Sequence, residues 1–167
     1  VTDSTVNGTV DKEVIVLGDS TVNGQTGATK EAKIGDTYYD TLETAISSAA
    51  ANAEIELLKN VTLSDPKLTL SKSITIKGNY TIDVYINDGD TLGFTISNST
   101  LTLDGVNMTV TGNQNAQTNN KGTAFSLSGN NSGITLDNEA KLTLKKLNKG
   151  IVLPDEEGKV TVKDSST

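Results

Sequence analysis

Acidic side chains at predicted turns are the first candidates in this sequence for a functional site. Asp83, Asp88 and Asp90 surround one turn. Such carboxylates are suitable ligands for Ca²⁺, which takes about six to eight oxygen atoms. They lack the spacing of a known calcium-binding loop, and acidic turns are usually only solvated. The same holds for a second group, Asp155, Glu156 and Glu157. Asp83, Asp88 and Asp90 are therefore a candidate metal site, and a solvated turn is the alternative.

The segment 112–122 is the longest stretch without hydrophobic periodicity, and it is rich in amide side chains. Amides donate and accept hydrogen bonds without charge, which suits the hydroxyl groups of sugars. Binding groups also concentrate on loops that a rigid scaffold holds. The candidate ligand-binding residues are Asn113, Gln114, Asn115, Gln117, Asn119 and Asn120. A solvated insertion at a corner of the fold is the alternative.

Most of the residues that enzymes use for catalysis are missing. The chain has no Cys and no His, and all 14 of its basic residues are Lys. A thiol nucleophile and a Ser-His-Asp triad are therefore excluded. A carboxylate pair of the glycosidase kind stays open, since two facing segments can supply one. We expect a protein without catalytic residues or cofactor, and a lyase or glycoside hydrolase acting on polysaccharide is the alternative.

The charge of the chain limits its partners. Its net charge is -7 and its pI is about 4.5, and the sequence has no basic stripe. A nucleic-acid partner is disfavoured, because binding to phosphates needs clustered basic side chains. No segment approaches the roughly 18 apolar residues of a membrane span. We therefore expect neither nucleic-acid binding nor membrane insertion.

Short strands must position these side chains. Triplets of the form apolar-Thr-apolar recur at 61–63, 68–70, 74–76, 94–96, 101–103, 108–110, 134–136, 142–144 and 160–162. The period of two predicts strands whose apolar residues point to a core and whose Thr residues point to solvent. An outward Thr array can order water, as in ice-binding solenoids. The uneven spacing favours the simpler interpretation, in which Thr stabilises the β-ladder.

One amphipathic helix precedes these strands. Asp40 is the predicted N-cap, with Glu43 three residues later as an acidic variant of the capping box. The predicted buried stripe is Leu42, Ala45, Ile46, Ala49 and Ala50. The helix is expected from about Thr41 to Asn52, where the period changes to two.

A solenoid explains this order of elements. The offsets from Thr75 to Thr95 and from Thr143 to Thr161 are similar, and they predict coils of roughly 20 residues. A helix at one end would protect the terminal edge of the stack. The predicted fold is therefore all-β, a right-handed parallel β-helix with an N-terminal capping α-helix. An antiparallel sandwich is the rival, although the turns do not pair the strands into clear hairpins.

The opening of the solenoid resembles a known family. The residues that carry the resemblance are Tyr39-x-Thr41-Leu42-x-x-Ala45-Ile46-x-x-Ala49 and Glu54-Ile55-x-Leu57-Leu58-x-Asn60-Val61-Thr62-Leu63. They are similar to the cap and first coil of pectate-lyase-like β-helix domains in bacterial cell-surface proteins. The likeness is good over residues 34–80. From there to residue 163 only the regular recurrence of strands supports it, and residues 1–33 are not part of it. It implies a domain on the bacterial cell surface, in the cell wall, with an adhesive or stalk role.

The chain is predicted to contain one domain with flanking segments. Residues 1–33 form a leader with a short strand at 14–17 and near-duplicates at 3–8 and 19–24. Residues 34–163 form the capped β-helix, and 164–167 form a polar linker tail. We expect a non-catalytic module of a secreted or cell-wall-anchored bacterial protein. Its expected partners are a host or environmental glycan, a surface protein, and other domains of the same protein.

Overall fold

The structure is a computed structural model that describes residues 29–87, 92–112, 122–153 and 158–167, with positions 2, 4–6, 17, 21–22 and 25–26. Within these residues it consists of short strands and one helix. The elements in chain order are β1 (Thr5–Val6), β2 (Thr21–Val22), β3 (Gln25–Thr26), β4 (Ala32–Ile34), β5 (Thr37–Tyr39), α1 (Leu42–Ser48), β6 (Ala53–Leu57), β7 (Val61–Ser64), β8 (Leu68–Leu70), β9 (Ile74–Lys77), β10 (Thr81–Ile86), β11 (Leu92–Ser97), β12 (Thr100–Asp104), β13 (Asn107–Gly112), β14 (Thr123–Ser128), β15 (Gly133–Asp137), β16 (Lys141–Lys145), β17 (Lys149–Val152) and β18 (Lys159–Val162).

From β6 onward, the strands visit three sheets in rotation. Sheet A has the order β18-β15-β12-β9-β6-β4-β5, sheet B has β16-β13-β10-β7, and sheet C has β17-β14-β11-β8. Each strand from β9 to β18 pairs in parallel with the strand three places before it. Only β4 and β5 join sheet A in antiparallel fashion. Stacked parallel sheets of this kind are compatible with a β-helix.

The prediction of a near-constant coil length is wrong beyond the first turn. Ile55 pairs with Ile76, Ile76 pairs with Leu103, and Leu103 pairs with Leu136, so each of these coils is longer than the one before it. Thr75 therefore lies beside Thr102, and Thr95 belongs to sheet C. The connections from sheet B to sheet C lengthen, and surface loops can lengthen at small free-energy cost without changing the strand pattern.

The apolar residues stack in columns inside the three sheets. Every register offset keeps inward residues beside inward residues, so Ile55, Ile76, Leu103 and Leu136 form one fully or nearly fully buried column of sheet A. In sheet C, the rings of Phe94 and Phe125 stack with centroids 5.1 Å apart and planes 16° apart. The predicted alternation of buried or half-buried apolar residues and outward Thr is confirmed for the triplets from β7 to β15, whereas Val160 and Val162 of β18 are exposed.

Helix α1 covers sheet A near β4, β5 and β6, and it is shorter than predicted. Its N-cap is Thr41, whose Oγ1 accepts a hydrogen bond from the Thr44 N–H at 3.2 Å. The predicted cap, Asp40, instead accepts a hydrogen bond from Lys30 Nζ at 2.7 Å. Glu31 Oε2 accepts a hydrogen bond from the Leu42 N–H at 2.9 Å and so satisfies another open donor of the first turn.

The buried stripe of the helix agrees with the prediction at four of its five positions. Leu42, Ala45, Ile46 and Ala49 are buried, whereas Ala50 is exposed. The helix ends at Ser48, because Ala49 is already extended. Asn52 then has a φ of 61°, and its N–H donates to the Ser73 carbonyl at 2.7 Å. The helix therefore ends four residues before the predicted Asn52, and the chain turns into β6 at that residue.

Two segments at the predicted domain boundaries make backbone pairs. Ala32, placed in the leader by its sequence, pairs with Leu57 of β6. In the predicted tail, the Thr167 N–H donates to the Ala140 carbonyl at 3.0 Å, and its carbonyl accepts from the Leu142 N–H at 2.7 Å. The predicted boundaries at 33 and 163 therefore both fall within hydrogen-bonded structure.

The near-duplicates of the leader pair with each other. Thr5 and Val6 of β1 lie parallel to Thr21 and Val22 of β2, in the register that aligns the two copies. Strand β3 adds to β2 in antiparallel fashion. Leu17 forms an isolated parallel bridge with Thr2, and the rest of the strand predicted at 14–17 lies outside the described residues.

Candidate functional site

A ladder of charged side chains runs up the outer face of sheet A. Glu56, Lys77, Asp104 and Asp137 lie in register on β6, β9, β12 and β15. Neighbouring strands are about 4.8 Å apart, so each side chain is within reach of the next. Two residues earlier, Thr75, Thr102 and Thr135 of β9, β12 and β15 form a parallel column of hydroxyl groups, which Thr161 continues on β18.

Lysines neutralise most carboxylates of this face. Lys77 Nζ donates to Glu54 Oε2 at 2.6 Å, and Lys33 Nζ lies 3.1 Å from Glu56 Oε2. The hydrogen bond with Glu54, followed by the attraction of its charge, raises the pKa of Lys77 above its ordinary value of 10.5. Exposed ion pairs of this kind contribute little to stability. They do fix the position of the lysine, and its positive charge is already paired with a carboxylate.

Asp104 differs from its neighbours on the ladder. Its Oδ1 accepts a hydrogen bond from Asn138 Nδ2 at 2.5 Å. Within the part of the chain that the structure describes, Asp104 has no ion pair. Its second oxygen keeps acceptor capacity for a ligand, because a carboxylate offers about four lone-pair sites.

The ladder ends at a sharp corner between sheet A and sheet B. Each of three ladder residues is followed by a residue in the left-handed region, at Gly78, Gly105 and Asn138, with φ values of 129°, 68° and 51°. These are the residue types that adopt such angles most readily. Backbone hydrogen bonds join the turns, since the Gly78 N–H donates to the Asp104 carbonyl at 3.2 Å and the Gly105 N–H donates to the Asp137 carbonyl at 3.0 Å.

The stacked turns form an open groove of about 520 Å³. We call it the corner groove, and its lining residues are Glu56, Leu57, Lys77, Gly78, Asn79, Tyr80, Asp104, Gly105 and Asn138. Tyr80 is half-buried and packs against the core, which leaves part of its ring at the wall of the groove. Asn79 and Asn138 are exposed. The groove thus combines one aromatic ring, two amides and Asp104, a carboxylate that makes no ion pair with the described residues.

A second cavity lies beneath the helix and is smaller, about 80 Å³. Its walls come from the end of α1 and from residues 69–74. Lys72 Nζ donates to the Ala49 carbonyl at 3.2 Å, so the cation there satisfies the end of the helix. This cavity belongs to the contact between the helix and the stack.

The ladder also offers a carboxylate pair, and one of its members, Asp137, does not suit the role of general acid. Asp104 and Asp137 are on neighbouring strands, about 4.8 Å apart along the ladder. Desolvation raises the pKa of Asp137, yet its hydrogen bonds with Lys163 and Asp164 outweigh this effect, so the pKa lies below its ordinary value of 3.8. A general acid needs a raised pKa. Asp137 is therefore better suited to accepting hydrogen bonds than to giving up a proton.

The sequence-predicted site residues are largely outside the described residues. This holds for the amide loop, Asn113, Gln114, Asn115, Gln117, Asn119 and Asn120, and for Asp88 and Asp90. Asp83 is half-buried on the outer face of sheet B, in register with Thr62 and Thr109. The described residues contain no group of three or more acidic side chains that could hold a metal ion. The amide loop and the calcium site both stay predictions.

Sequence reasoning missed the corner groove, although a signal for it exists. A charged residue followed by Gly or Asn recurs at Lys77-Gly78, Asp104-Gly105 and Asp137-Asn138. These turns are farther apart in the chain than the Thr positions suggested, and their separation grows from one coil to the next. Aligning the chain on these turns would have found both the true coils and the groove.

No family model matches the chain, and neither a curated protein nor a solved structure matches it. The described part of the chain also contains no helix long and apolar enough to cross a membrane. The likeness to the pectate-lyase-like β-helix domains of bacterial surface proteins therefore rests on the residues that carry it. The corner groove must be interpreted from its own chemistry.

Proposed function

We propose that the chain is a non-catalytic, glycan-recognising module of a secreted or cell-wall-anchored bacterial surface protein, built as a right-handed parallel β-helix. The handedness follows from the strong preference for right-handed connections between parallel strands of one sheet. Strands that rotate through three sheets support the β-helix. The extracellular, cell-wall location comes from the resemblance of residues 34–80 to the caps of such domains.

The corner groove is the observation that carries the recognition role. Sugars present hydroxyl groups in several directions around an apolar ring face. Asn79 and Asn138 can donate and accept, Asp104 can accept, and Tyr80 supplies an apolar wall. The groove is open, so a single site should bind with modest affinity, and several copies on one surface would strengthen binding by multivalency.

A glycan array probed with the purified protein tests this function. Asp104→Asn and Asn138→Ala should each lower the signal of a bound glycan at least fivefold, because the first replaces an acceptor oxygen of the groove by an amide donor and the second removes a side chain that donates and accepts. Asp36→Asn is the matched control, since it removes the same charge from the turn between β4 and β5. The proposal fails if no glycan binds, or if the groove variants bind like the control.

A polysaccharide-acting enzyme is the second candidate, and the spacing of Asp104 and Asp137 is what favours it. Retaining glycosidases hold their two carboxyl groups about 5 Å apart, close to the separation of adjacent strands. The lowered pKa of Asp137 fits a nucleophile and not a general acid, so Asp104 would have to be the acid of such an enzyme. Incubation with neutral and acidic polysaccharides, followed by assays for reducing ends and unsaturated products, decides between the two. Turnover that disappears in Asp104→Asn would establish the enzyme.

A further inference from the structure

The strand that leaves the corner groove carries a second group of ligand-type side chains. Strand β10 begins immediately after Asn79 and Tyr80, and its residues alternate between core and solvent. Ile82, Val84 and Ile86 are buried. The side chains that alternate with them on the outer face of sheet B are Thr81, Asp83 and Tyr85. Each successive outward residue is about 6.7 Å further along the strand, so Tyr85 lies roughly 20 Å from Asn79.

Tyr85 is the aromatic residue that this face exposes. Its exposed fraction is 44%, although β10 is an inner strand of its sheet. Its in-register neighbours are Ser64 on β7 and Thr111 on β13, whose small side chains leave the ring uncovered. Single exposed apolar residues are common on proteins, so exposure alone means little. Tyr85 is a candidate ligand contact because it lies on the outer face of β10, the strand that follows the groove residues Asn79 and Tyr80.

The backbone at Tyr85 is held in place. The Asp65 N–H donates to the Tyr85 carbonyl at 2.8 Å, and Asp65 Oδ1 accepts from the Asn87 N–H at 2.7 Å. The turn after β7 is therefore fastened to the end of β10. An aromatic ring on such a rigid support loses little conformational entropy when a ligand stacks on it, because only its two side-chain torsions need to be fixed.

We propose that one linear, neutral oligosaccharide binds along β10, from the corner groove to Tyr85. This inference rests on the proposed glycan recognition and names its ligand class. One sugar residue lies in the groove against Tyr80, and a later one stacks on Tyr85. Between them, the Thr81 hydroxyl and the Asp83 carboxylate supply hydrogen bonds. Aromatic faces near both ends of a polar track suit a polymer better than a single sugar.

The charges along the track select a neutral chain. Asp83 and Asp104 both have no ion pair among the residues that the structure describes. The lysine of the groove, Lys77, is held by Glu54 at 2.6 Å. On β10 and in the groove, an acidic polysaccharide would meet two carboxylates, whereas the outward lysines of sheet B, Lys141 and Lys145, lie two strands away on β16, in a protein whose net charge is -7. Repulsion of this kind discriminates strongly between ligands of different charge.

Calorimetric titration with oligosaccharides of increasing length tests the inference. The probes are β-1,4-linked glucose, N-acetylglucosamine, mannose and xylose oligomers, each from the dimer to the hexamer. For a series that binds, Kd should fall about five- to tenfold between the short and long members, the contribution of one aromatic contact. Tyr85→Ala should abolish that gain and leave Kd for the dimer within about twofold of the parent.

Matched variants separate stacking from other effects. Tyr85→Phe should keep the gain with length, because the ring remains, and Tyr38→Ala should keep it because Tyr38 lies in β5, outside the track. Asp104→Asn should weaken binding at every length. Thermal melts of each variant establish that the fold is intact, and the exposure of Tyr85 makes its replacement mild.

The results distinguish this inference from the proposed function. If Kd still falls with oligosaccharide length in Tyr85→Ala, the inference is wrong, and the proposed glycan recognition is unaffected. Binding that is restricted to branched or acidic glycans does the same, as does tighter binding of oligogalacturonates than of the neutral series. If the array and the titrations both find no glycan at all, the proposed function itself fails.

Discussion

At the residue scale, the corner groove depends on backbone angles that few residues adopt. Gly78, Gly105 and Asn138 occupy equivalent places after the charged ladder, and all three have positive φ. The ladder itself depends on small ion pairs that fix lysines without adding much stability. Local conformation and local charge therefore shape this surface more than packing does.

Replacing Gly105 tests the backbone contribution. Gly105→Ala should lower the free energy of unfolding by about 1–2 kcal/mol, because an L-residue is strained at a φ of 68°. An added Cβ there meets only ordinary contacts, 3.5 Å from the Gly78 carbonyl oxygen, so the loss would report strain. Gly150→Ala is the control: its φ is not in the left-handed region, and the new Cβ would press only on the mobile end of Leu144. Equal losses in urea unfolding of the two variants would contradict the strain argument.

Asp137 should make the stability depend on pH in the acid range. Its pKa is below 3.8 in the folded protein, so the folded state binds a proton less readily than the unfolded state. Its contribution to stability is therefore complete above pH 3.8 and disappears as the pH falls through the lowered pKa. Melting temperatures of the parent and Asp137→Asn should differ at pH 6 and converge toward pH 2. Asp36→Asn is the control, and a constant difference for Asp137→Asn across this range would refute the linkage.

At the element scale, helix α1 packs at the β6 end of the stack, against β4, β5 and β6. Its buried residues pack with the core, and its first turn is satisfied by Thr41 and by the Glu31 carboxylate. A stack of strands exposes unpaired backbone groups at its ends, and covering them protects against association. The helix should therefore matter more for stability than its short length suggests.

A charge on each face of the helix tests the cap. Ile46→Asp should cost several kcal/mol, roughly 3 or more, because it puts an unpaired charge among buried apolar groups. Ser48→Asp, on the exposed face, should change stability by about 0.5 kcal/mol or less. Urea unfolding measures both, and light scattering should detect association of the Ile46 variant alone. Identical melting of the two variants would show that the helix does not act as a cap.

The connection between β13 and β14 should contribute to binding more than to stability. Replacing residues 112–122 with Gly-Asn-Gly removes the predicted amide side chains and almost no apolar surface. Tm should change by only a few degrees, since shortening a surface loop alters the closure entropy slightly. Glycan binding should weaken if these amides take part. If binding to the best array glycan is unchanged in this variant, the loop is only a solvated corner.

At the scale of the whole molecule, the stack has two unlike ends. Inward residues near α1 are fully buried, whereas Val160 and Val162 of β18 are 41% and 55% exposed. In a solenoid each coil contacts only its neighbours, so stability varies along the axis. Strands with fewer buried contacts open more readily than those in the middle of the stack.

Hydrogen exchange should reveal this gradient. Paired backbone amides of β12, in the middle of sheet A, should exchange at least tenfold more slowly than those of β18 at its edge. The comparison is internal, because both strands belong to the same sheet and carry the same Thr column. Uniform protection from β6 to β18 would indicate a single cooperative unit and contradict the expected gradient.

Much of the fold could be predicted from the sequence, because it depends on local patterns. The alternation of apolar residues with Thr was sufficient to find nine of the 13 strands from β6 onward, and the stripe containing Leu42 and Ile46 was sufficient to find the helix. Hydrophobic burial acts on each strand separately, so the pattern survives changes in the loops between strands. The parallel pairing of Thr5 with Thr21 likewise follows the duplication of the leader.

Tertiary structure decided which residues meet. Thr75 lies beside Thr102 and not Thr95, because the loops between strands vary in length. The alternation of inward and outward residues is nevertheless kept in each pair of strands. Thr41 replaced Asp40 as the helix cap, because Lys30 occupies the Asp40 carboxylate. Asn79, Asp104 and Asn138 line one groove although they belong to three successive coils of the chain. Their proximity depends on register across coils, which the alternation of apolar residues does not encode, because the core accepts any coil length that returns the same face inward.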